Sequence, residues 1–184
     1  MFHRMFGRAR NANREITDAL YAAIVASARQ EKFYSDWNVP DTPLGRFEML
    51  SLHMFLFQHR LRGETGASRE LAQILIDTFF GDVDHSLREL GIGDAGIPKR
   101  MKKLARMFYG RTTSYAAALE QQDAAALAAA LTRNIRPELE QWPEAGEMAA
   151  YVFEAQALLG TQASDAICAG TVAFPATEAR QEQG

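Results

Sequence analysis

Three groups of side chains have the types and spacing to do chemistry or to bind. The first is polar: Arg46, His53, Asp82, Asp84 and Arg88. Asp82-Val83-Asp84-His85 sets oxygen and nitrogen donors within four residues, and His53 shares a helical strip with Arg46 and Arg60, between apolar positions. A histidine flanked by buried faces can ligate a metal or pass a proton. The pattern has no H-x-x-x-H pair, no paired E-x-x-H set and nothing that fixes a third ligand, so no metal is assigned. The plainer reading makes His53 a core histidine bonded to an acid of a neighbouring helix. It places Asp82 and Asp84 near a helix start, opposing the positive dipole end. No Walker loop, G-x-S-x-G elbow or G-x-G-x-x-G after a strand is present, and Gly91, Gly93 and Gly96 lie between helices. Cys168 has no histidine near it in sequence. No catalytic residue and no cofactor are assigned.

The second group is basic. Lys99, Arg100, Lys102, Lys103, Arg106 and Arg111 lie within thirteen positions, with no acid between Asp94 and Glu120. On a helix Met101, Leu104, Ala105 and Phe108 form the buried stripe, so Lys99, Lys102, Lys103 and Arg106 project together into solvent. Such a face suits ribosomal RNA, anionic lipid headgroups or an acidic protein surface. An ordinary solvated face alternates its signs, and this one does not. The third group is aromatic: Phe33, Tyr34 and Trp37, in a loop, serve either as a docking surface for an apolar partner segment or as a lid over the core.

These groups need elements to hold them. The chain has 184 residues, 47% apolar and 23% charged, which fits one soluble globular domain. No apolar run approaches the ~18–20 residues that cross a bilayer. A single cysteine excludes an internal disulfide and a Cys-based zinc site, and points to a reducing compartment. The net charge of -3 conceals a split: residues 1–111 hold 17 Lys/Arg against 13 Asp/Glu, and residues 112–184 hold 3 against 10. That asymmetry suggests an oriented, charged partner.

Strand signals are scarce and helical periodicity dominates. Residues 1–14 carry Arg4, Arg8, Arg10 and Arg14 and no acid, with Phe2, Met5, Phe6 and Ala9 on one helical side. This is the pattern of a short helix on an anionic membrane surface, or else of a frayed basic terminus. A first helix is predicted from Asn13 to Gln30, then a loop from Glu31 to Pro43. Asp41-Thr42-Pro43 caps and opens a second helix, Pro43–Leu61. Its Leu44, Phe47, Leu50, Met54, Phe57 and Leu61 make one stripe, while Met49, Leu52 and Leu56 make another on the far side. A helix apolar on two faces is sandwiched by others. Further helices are predicted over Ser68–Phe80, from Gly81 (a break) to Gly91, over Pro98–Phe108 with a stop at Gly110, and then Ser114–Glu120, Asp123–Asn134 and Pro143–Leu159. Beyond Gly160 the periodicity fades. The expected fold is all-α, a single-domain bundle of seven or eight helices around that central helix. Residues 1–12 form a basic amphipathic arm, 13–160 the helical domain, and 161–184 a weakly structured acidic tail.

Three ordered blocks carry a resemblance. They are Asp36-Trp37 with Asp41-Thr42-Pro43-Leu44-Gly45-Arg46-Phe47-Glu48-Met49-Leu50-Ser51-Leu52-His53, then Phe79-Phe80-Gly81-Asp82-Val83-Asp84-His85-Ser86-Leu87-Arg88-Glu89-Leu90-Gly91-Ile92-Gly93-Asp94, and Pro98-Lys99-Arg100-Met101-Lys102-Lys103 through Phe108-Tyr109-Gly110-Arg111. Together they resemble the ubiquinol–cytochrome c chaperone family, most densely from Leu20 to Leu119. The resemblance implies a non-enzymatic assembly factor for the bc1 complex. Mitochondrial members are helical, work with a small partner assembly protein, bind near the ribosomal tunnel exit and receive newly made cytochrome b. Lacking a full-length presequence, this chain is similar to a bacterial member, cytoplasmic and peripheral at the inner face of the cytoplasmic membrane. The family supplies no catalytic residues to carry over. The competing reading is a helical small-molecule or metal-binding protein with a closed pocket around His53, Arg46, Asp82 and Asp84.

Overall fold

The structure, a computed structural model, describes the backbone of residues 2–178 and the side chains of residues 13–178. In chain order the helices are α1 (Phe2–Ala28), α2 (Glu31–Ser35), α3 (Pro43–Arg60), α4 (Ala67–Glu89), α5 (Ile97–Glu120), α6 (Ala124–Ile135), α7 (Ala145–Thr161) and α8 (Ser164–Cys168). Among the described residues there is no strand. The amphipathic character expected of residues 1–12 rests on side chains outside the described residues.

α3 organises the rest, and its start is specified locally. Thr42 is extended, and its Oγ1 accepts the Gly45 N–H at 3.1 Å, while Pro43 takes the first helical position, where no N–H is needed. The chain doubles back over this first turn so closely that a Cβ at position 45 would stand 1.9 Å from the Pro40 carbonyl oxygen. Only glycine fits there.

The two apolar faces of α3 enter two cores. Met49, Leu52, Phe55 and Leu56 pack with Phe33, Trp37, Tyr115, Leu119 and the inner faces of α6 and α7. Met54, Phe57 and Leu61 pack with Leu20 and Ile24 of α1, Leu75 and Phe79 of α4, Phe108 of α5 and Ile167 of α8. Each of these large side chains contributes about 1.5–3 kcal/mol on leaving water. The predicted sandwich is therefore what the fold is built on. Leu44, placed at the head of one stripe, is instead 52% exposed.

The far end of α3 is tied down by Arg60. It donates to the Leu159 carbonyl at 2.9 Å, the Gln162 carbonyl at 2.8 Å and Ser164 Oγ at 3.1 Å, and pairs with Glu64 at 3.1 Å. One guanidinium thus binds carbonyls at the C-terminal end of α7, joining the Gln162 N–H on the Leu159 carbonyl.

Several boundaries differ from the sequence reading. α1 runs unbroken through the expected join at residue 13. α4 passes Gly81 without a break, and α5 passes Gly110 to include the separate helix expected at 114–120. Both glycines face open space, and each costs its helix only about 1 kcal/mol. Burial of Phe79 and Val83 in α4, and of Phe108 and Tyr115 in α5, outweighs that cost. The segment from 161 onward, expected to be weakly structured, carries α8 with Ile167 fully buried. Val172 and Phe174 then pack against both cores, and Gln30 holds the following residues through the Pro175 carbonyl (3.0 Å) and the Thr177 N–H (2.6 Å). Its apolar residues are too few and too irregular to register as a period.

Candidate docking surface

α5 opens on Ile97-Pro98, with the proline in the first turn. Ile97, Phe108, Tyr115 and Leu119 are buried. The opposite side carries Lys99, Arg100, Lys102, Lys103 and Arg106, all exposed, and none forms a salt bridge among the described residues. The predicted cationic face therefore exists for five of its six members.

Arg111 is the exception. Its side chain is 10% exposed and its Nη2 lies 2.6 Å from Glu48 Oε1, on a carboxylate that is 2% exposed. Positions 100, 104 and 111 fall along one edge of α5 at helical spacing, and the Glu48 contact shows that this edge turns toward α3. Charge type placed Arg111 with the lysines, while its contact with Glu48 of α3 places it inside. Burial pushes the Glu48 carboxyl up to about 8, against the pull of Arg111. Apart from that ion-pair contact, both Glu48 oxygens, Ser51 Oγ and Arg111 Nε and Nη1 are buried with no hydrogen-bond partner among the described residues. Sequence reading missed this pair, although Glu48 between two apolar stripes was a signal: such a carboxylate needs a buried cation.

The loop aromatics are not a docking surface. Phe33 lies in α2, which replaces the expected loop, and is fully buried; Trp37 is 6% exposed. Trp37 Nε1 donates to Glu147 at 2.6 Å, and the Phe33 ring meets Tyr151 edge-on at 5.0 Å. Tyr34 is half-buried and donates its hydroxyl to the Ala28 carbonyl at 2.9 Å. They form the lid that closes the core between α3 and α7.

The polar group does not converge. His53 is fully buried, its Nδ1 2.8 Å from the Met49 carbonyl and its Nε2 2.8 Å from the Tyr151 hydroxyl. Because a carbonyl can only accept, the proton sits on Nδ1, and Nε2 accepts from Tyr151. Its partner is thus a tyrosine rather than the expected acid. Arg46 pairs with Asp41 at 2.6 Å on the surface, Asp82 accepts the Tyr21 hydroxyl at 2.9 Å, and Asp84 pairs with Arg88, which also meets Asp94. Asp82 and Asp84 lie in the C-terminal half of α4, not near its start. The closed pocket required by the small-molecule reading is therefore absent among the described residues. Cys168 sits at the end of α8, half-buried, with its sulfur 3.3 Å from Ser68 Oγ.

Burial holds the His53 imidazole down at about 4, below its ordinary 6.5. A depressed histidine stabilises the fold above its unfolded pKa, and that contribution is lost as pH falls from about 6.5 through 4, about 3 kcal/mol in all. Glu48, raised, acts oppositely, favouring the fold as pH falls from 8 to 4.5. Urea melts of wild type and His53→Gln at pH 7 and 4.5 separate the two. The variant is expected to lose less stability on acidification than wild type, and an unchanged difference would refute the neutral buried imidazole.

Beside the cationic face lies an open groove of about 540 Å³. Val25, Leu44, Phe47, Leu87, Leu90 and Leu104 line it, with Arg29, Arg46, Asp82 and Glu89 among its polar residues. Leu44 at 52% and Leu90 at 58% exposure are among the few large apolar side chains left in water. The groove takes Arg46 and Asp82 from the predicted cluster, while His53 and Asp84 do not line it.

Residues 35–174 match the family described as ubiquinol–cytochrome C chaperone, well over half of the chain. The chain belongs to the ubiquinol–cytochrome c chaperone family. Within that family it is similar to the ubiquinol-cytochrome-c reductase complex assembly factor 1 of Xenopus laevis, 24% identical over 116 residues. That match takes in 63% of this chain and spans 58% of the frog protein's length. A crystal structure of the Cbp3 homolog from Brucella abortus superposes with a TM-score of 0.88 at 57% identity, covering 95% of this chain and 97% of that one. The fold of this chaperone-family member is thus shared, over 95% of its length, with a solved bacterial relative.

Proposed function

We propose that this chain is a non-enzymatic assembly factor for ubiquinol–cytochrome c reductase, the bc1 complex, and that it receives newly made cytochrome b. The observation that carries this reading is the near end-to-end likeness to the Cbp3 homolog at 57% identity, joined to the family match over residues 35–174. The chemistry of the interior supports a binding role. His53, Tyr151, Glu48 and Arg111 bond to or pair with one another inside the bundle, and Asp84 and Arg88 pair on its surface, so none is grouped as an acid–base or nucleophile set. No described helix is long and apolar enough to span a bilayer. The chain works at the inner face of the cytoplasmic membrane, as a peripheral protein, or at the ribosome that delivers the client. The five cations of α5, which form no salt bridge among the described residues, supply a salt-sensitive contact there.

Crosslinking mass spectrometry on the tagged chain in native lysate, membranes and ribosomes retained, tests this. Crosslinks to cytochrome b are expected, and the triple variant Lys102→Glu, Lys103→Glu, Arg106→Glu should no longer crosslink to the ribosome or membrane proteins around it. Absence of cytochrome b crosslinks from wild type would sink the reading.

A further inference from the structure

The segment that follows α8 has neither helix nor strand, and two glutamine side chains hold its backbone. Gln162, which caps α7, donates to the Ala173 carbonyl at 2.8 Å and accepts the Ala173 N–H at 2.8 Å. Gln30, just past α1, donates to the Pro175 carbonyl at 3.0 Å and accepts the Thr177 N–H at 2.6 Å. In an extended chain the polar groups of alternate residues share one edge, and residues 173, 175 and 177 are such a set. Exposure agrees with that period: Thr171 and Ala173 are exposed, while Val172 and Phe174 are half-buried. Past Thr171 the segment makes no backbone–backbone hydrogen bond among the described residues.

Both glutamines are oriented without the segment. Gln30 Nε2 also donates to the Ser27 carbonyl at 3.2 Å, and Gln162 Nε2 to the Leu158 carbonyl at 3.2 Å. Each amide spends one N–H on the helix it follows and presents the other, with its oxygen, to a peptide backbone. Between the two amides the floor is apolar. The Phe174 ring lies 5.2 Å from the buried His53 ring, and Phe174 and Val172 pack on both cores. Residues 171–177 carry no charge, and the amides and apolar side chains that hold them carry none either. A charged occupant would bring an unpaired charge against this floor. Such a seat reads a backbone edge and a two-residue apolar spacing, as edge-of-sheet peptide sites do. Gly170, at a φ of 94°, is the joint from which the segment leaves α8.

We propose that residues 171–177 are a displaceable strap. The seat between Gln30 and Gln162 takes in its place an extended, uncharged segment of a partner protein, with bulky apolar side chains two residues apart. The strap itself displays the chemistry of that occupant. This deepens the assembly-factor reading, on which it rests, by stating what kind of client segment the chain holds and where.

The test uses the full chain and a labelled peptide with the sequence of residues 170–177. Phe174→Asp removes the anchor of the strap. Fluorescence anisotropy is expected to show the peptide binding this variant at least about ten-fold more tightly than wild type, whose seat is filled in cis. A peptide with isoleucine and leucine at the two apolar positions should bind within about ten-fold of the first, and one with aspartate for its phenylalanine at least about ten-fold more weakly. Adding Gln162→Ala to the Phe174→Asp chain should cost about ten-fold. A folded Phe174→Asp chain, shown by a cooperative urea transition, that binds no peptide would overturn the proposal. So would equal binding of the aspartate peptide, or rejection of the isoleucine–leucine peptide, since the contact would then be private to this chain. Hydrogen exchange of wild type decides displacement without any variant. The Ala173 and Thr177 amides should exchange at least about a hundred-fold faster than that of Val152 in α7, and exchange only together with it would overturn the strap. Measuring bc1 content in a strain deleted for the chain separates the two readings. Loss of bc1 with no peptide binding rejects the seat alone, whereas peptide binding with normal bc1 rejects the assembly role alone.

Discussion

Arg111→Ala is expected to destabilise the chain by about 3–5 kcal/mol above about pH 8, where Glu48 is ionised, a large part of a typical domain's stability. The truncation leaves Glu48, 2% exposed, in the interior with no cation beside it. The Glu48 carboxyl, already held up to about 8 beside Arg111, rises further without it, so the deficit should deepen as pH climbs above about 8. The double change Glu48→Leu with Arg111→Met is expected to restore stability to within about 1 kcal/mol of wild type or to exceed it. The reason lies in the present pair: beyond their one 2.6 Å contact, its oxygens and two of its guanidinium nitrogens find no hydrogen-bond partner among the described residues to offset their desolvation. Urea denaturation of the three variants checks this. A single Arg111→Ala loss below about 1 kcal/mol would mean that the ion pair does not hold α5 to α3.

Gly45→Ala comes next, with an expected loss of about 2–4 kcal/mol. One methyl group is placed 1.9 Å from the Pro40 oxygen, and the chain there cannot easily retreat. Val39 is buried and its N–H bonds to the Phe33 carbonyl at 2.9 Å, while Thr42 N–H bonds to Pro40 itself at 2.8 Å. Relief would have to displace the Phe33–Trp37 lid or the α3 cap. Gly81→Ala is the control: its Cβ meets nothing within 4 Å, and the helix should gain up to about 1 kcal/mol. Thermal melts in which both substitutions cost alike would refute the close approach at position 45.

The part of this fold legible in the sequence was the part written as period. The double stripe of α3 named its own two cores, and Thr42-Pro43 marked its start. Period failed where burial overrode local preference. Gly81 and Gly110 read as breaks because their cost is local, whereas the packing that keeps α4 and α5 straight comes from residues distant in sequence. Phe33 and Trp37 looked like loop aromatics because one turn of helix is too short to leave a pattern. Their burial depends on Glu147 and Tyr151, more than a hundred residues away. The cationic face was legible because five lysines and arginines fall on the solvent side of a stripe. Arg111 was misread because charge alone does not state what a side chain packs against, here Glu48 of α3. The groove was invisible, since it is assembled from four helices, and Leu44 read as core.

Difference spectroscopy of membranes from a strain deleted for the chain, reduced minus oxidised, most directly tests whether the protein serves bc1 assembly. Loss of the bc1 b- and c-type haem signals is expected, with other respiratory complexes retained and the signals restored by the wild-type chain. Membranes with a full complement of active bc1 complex would contradict it.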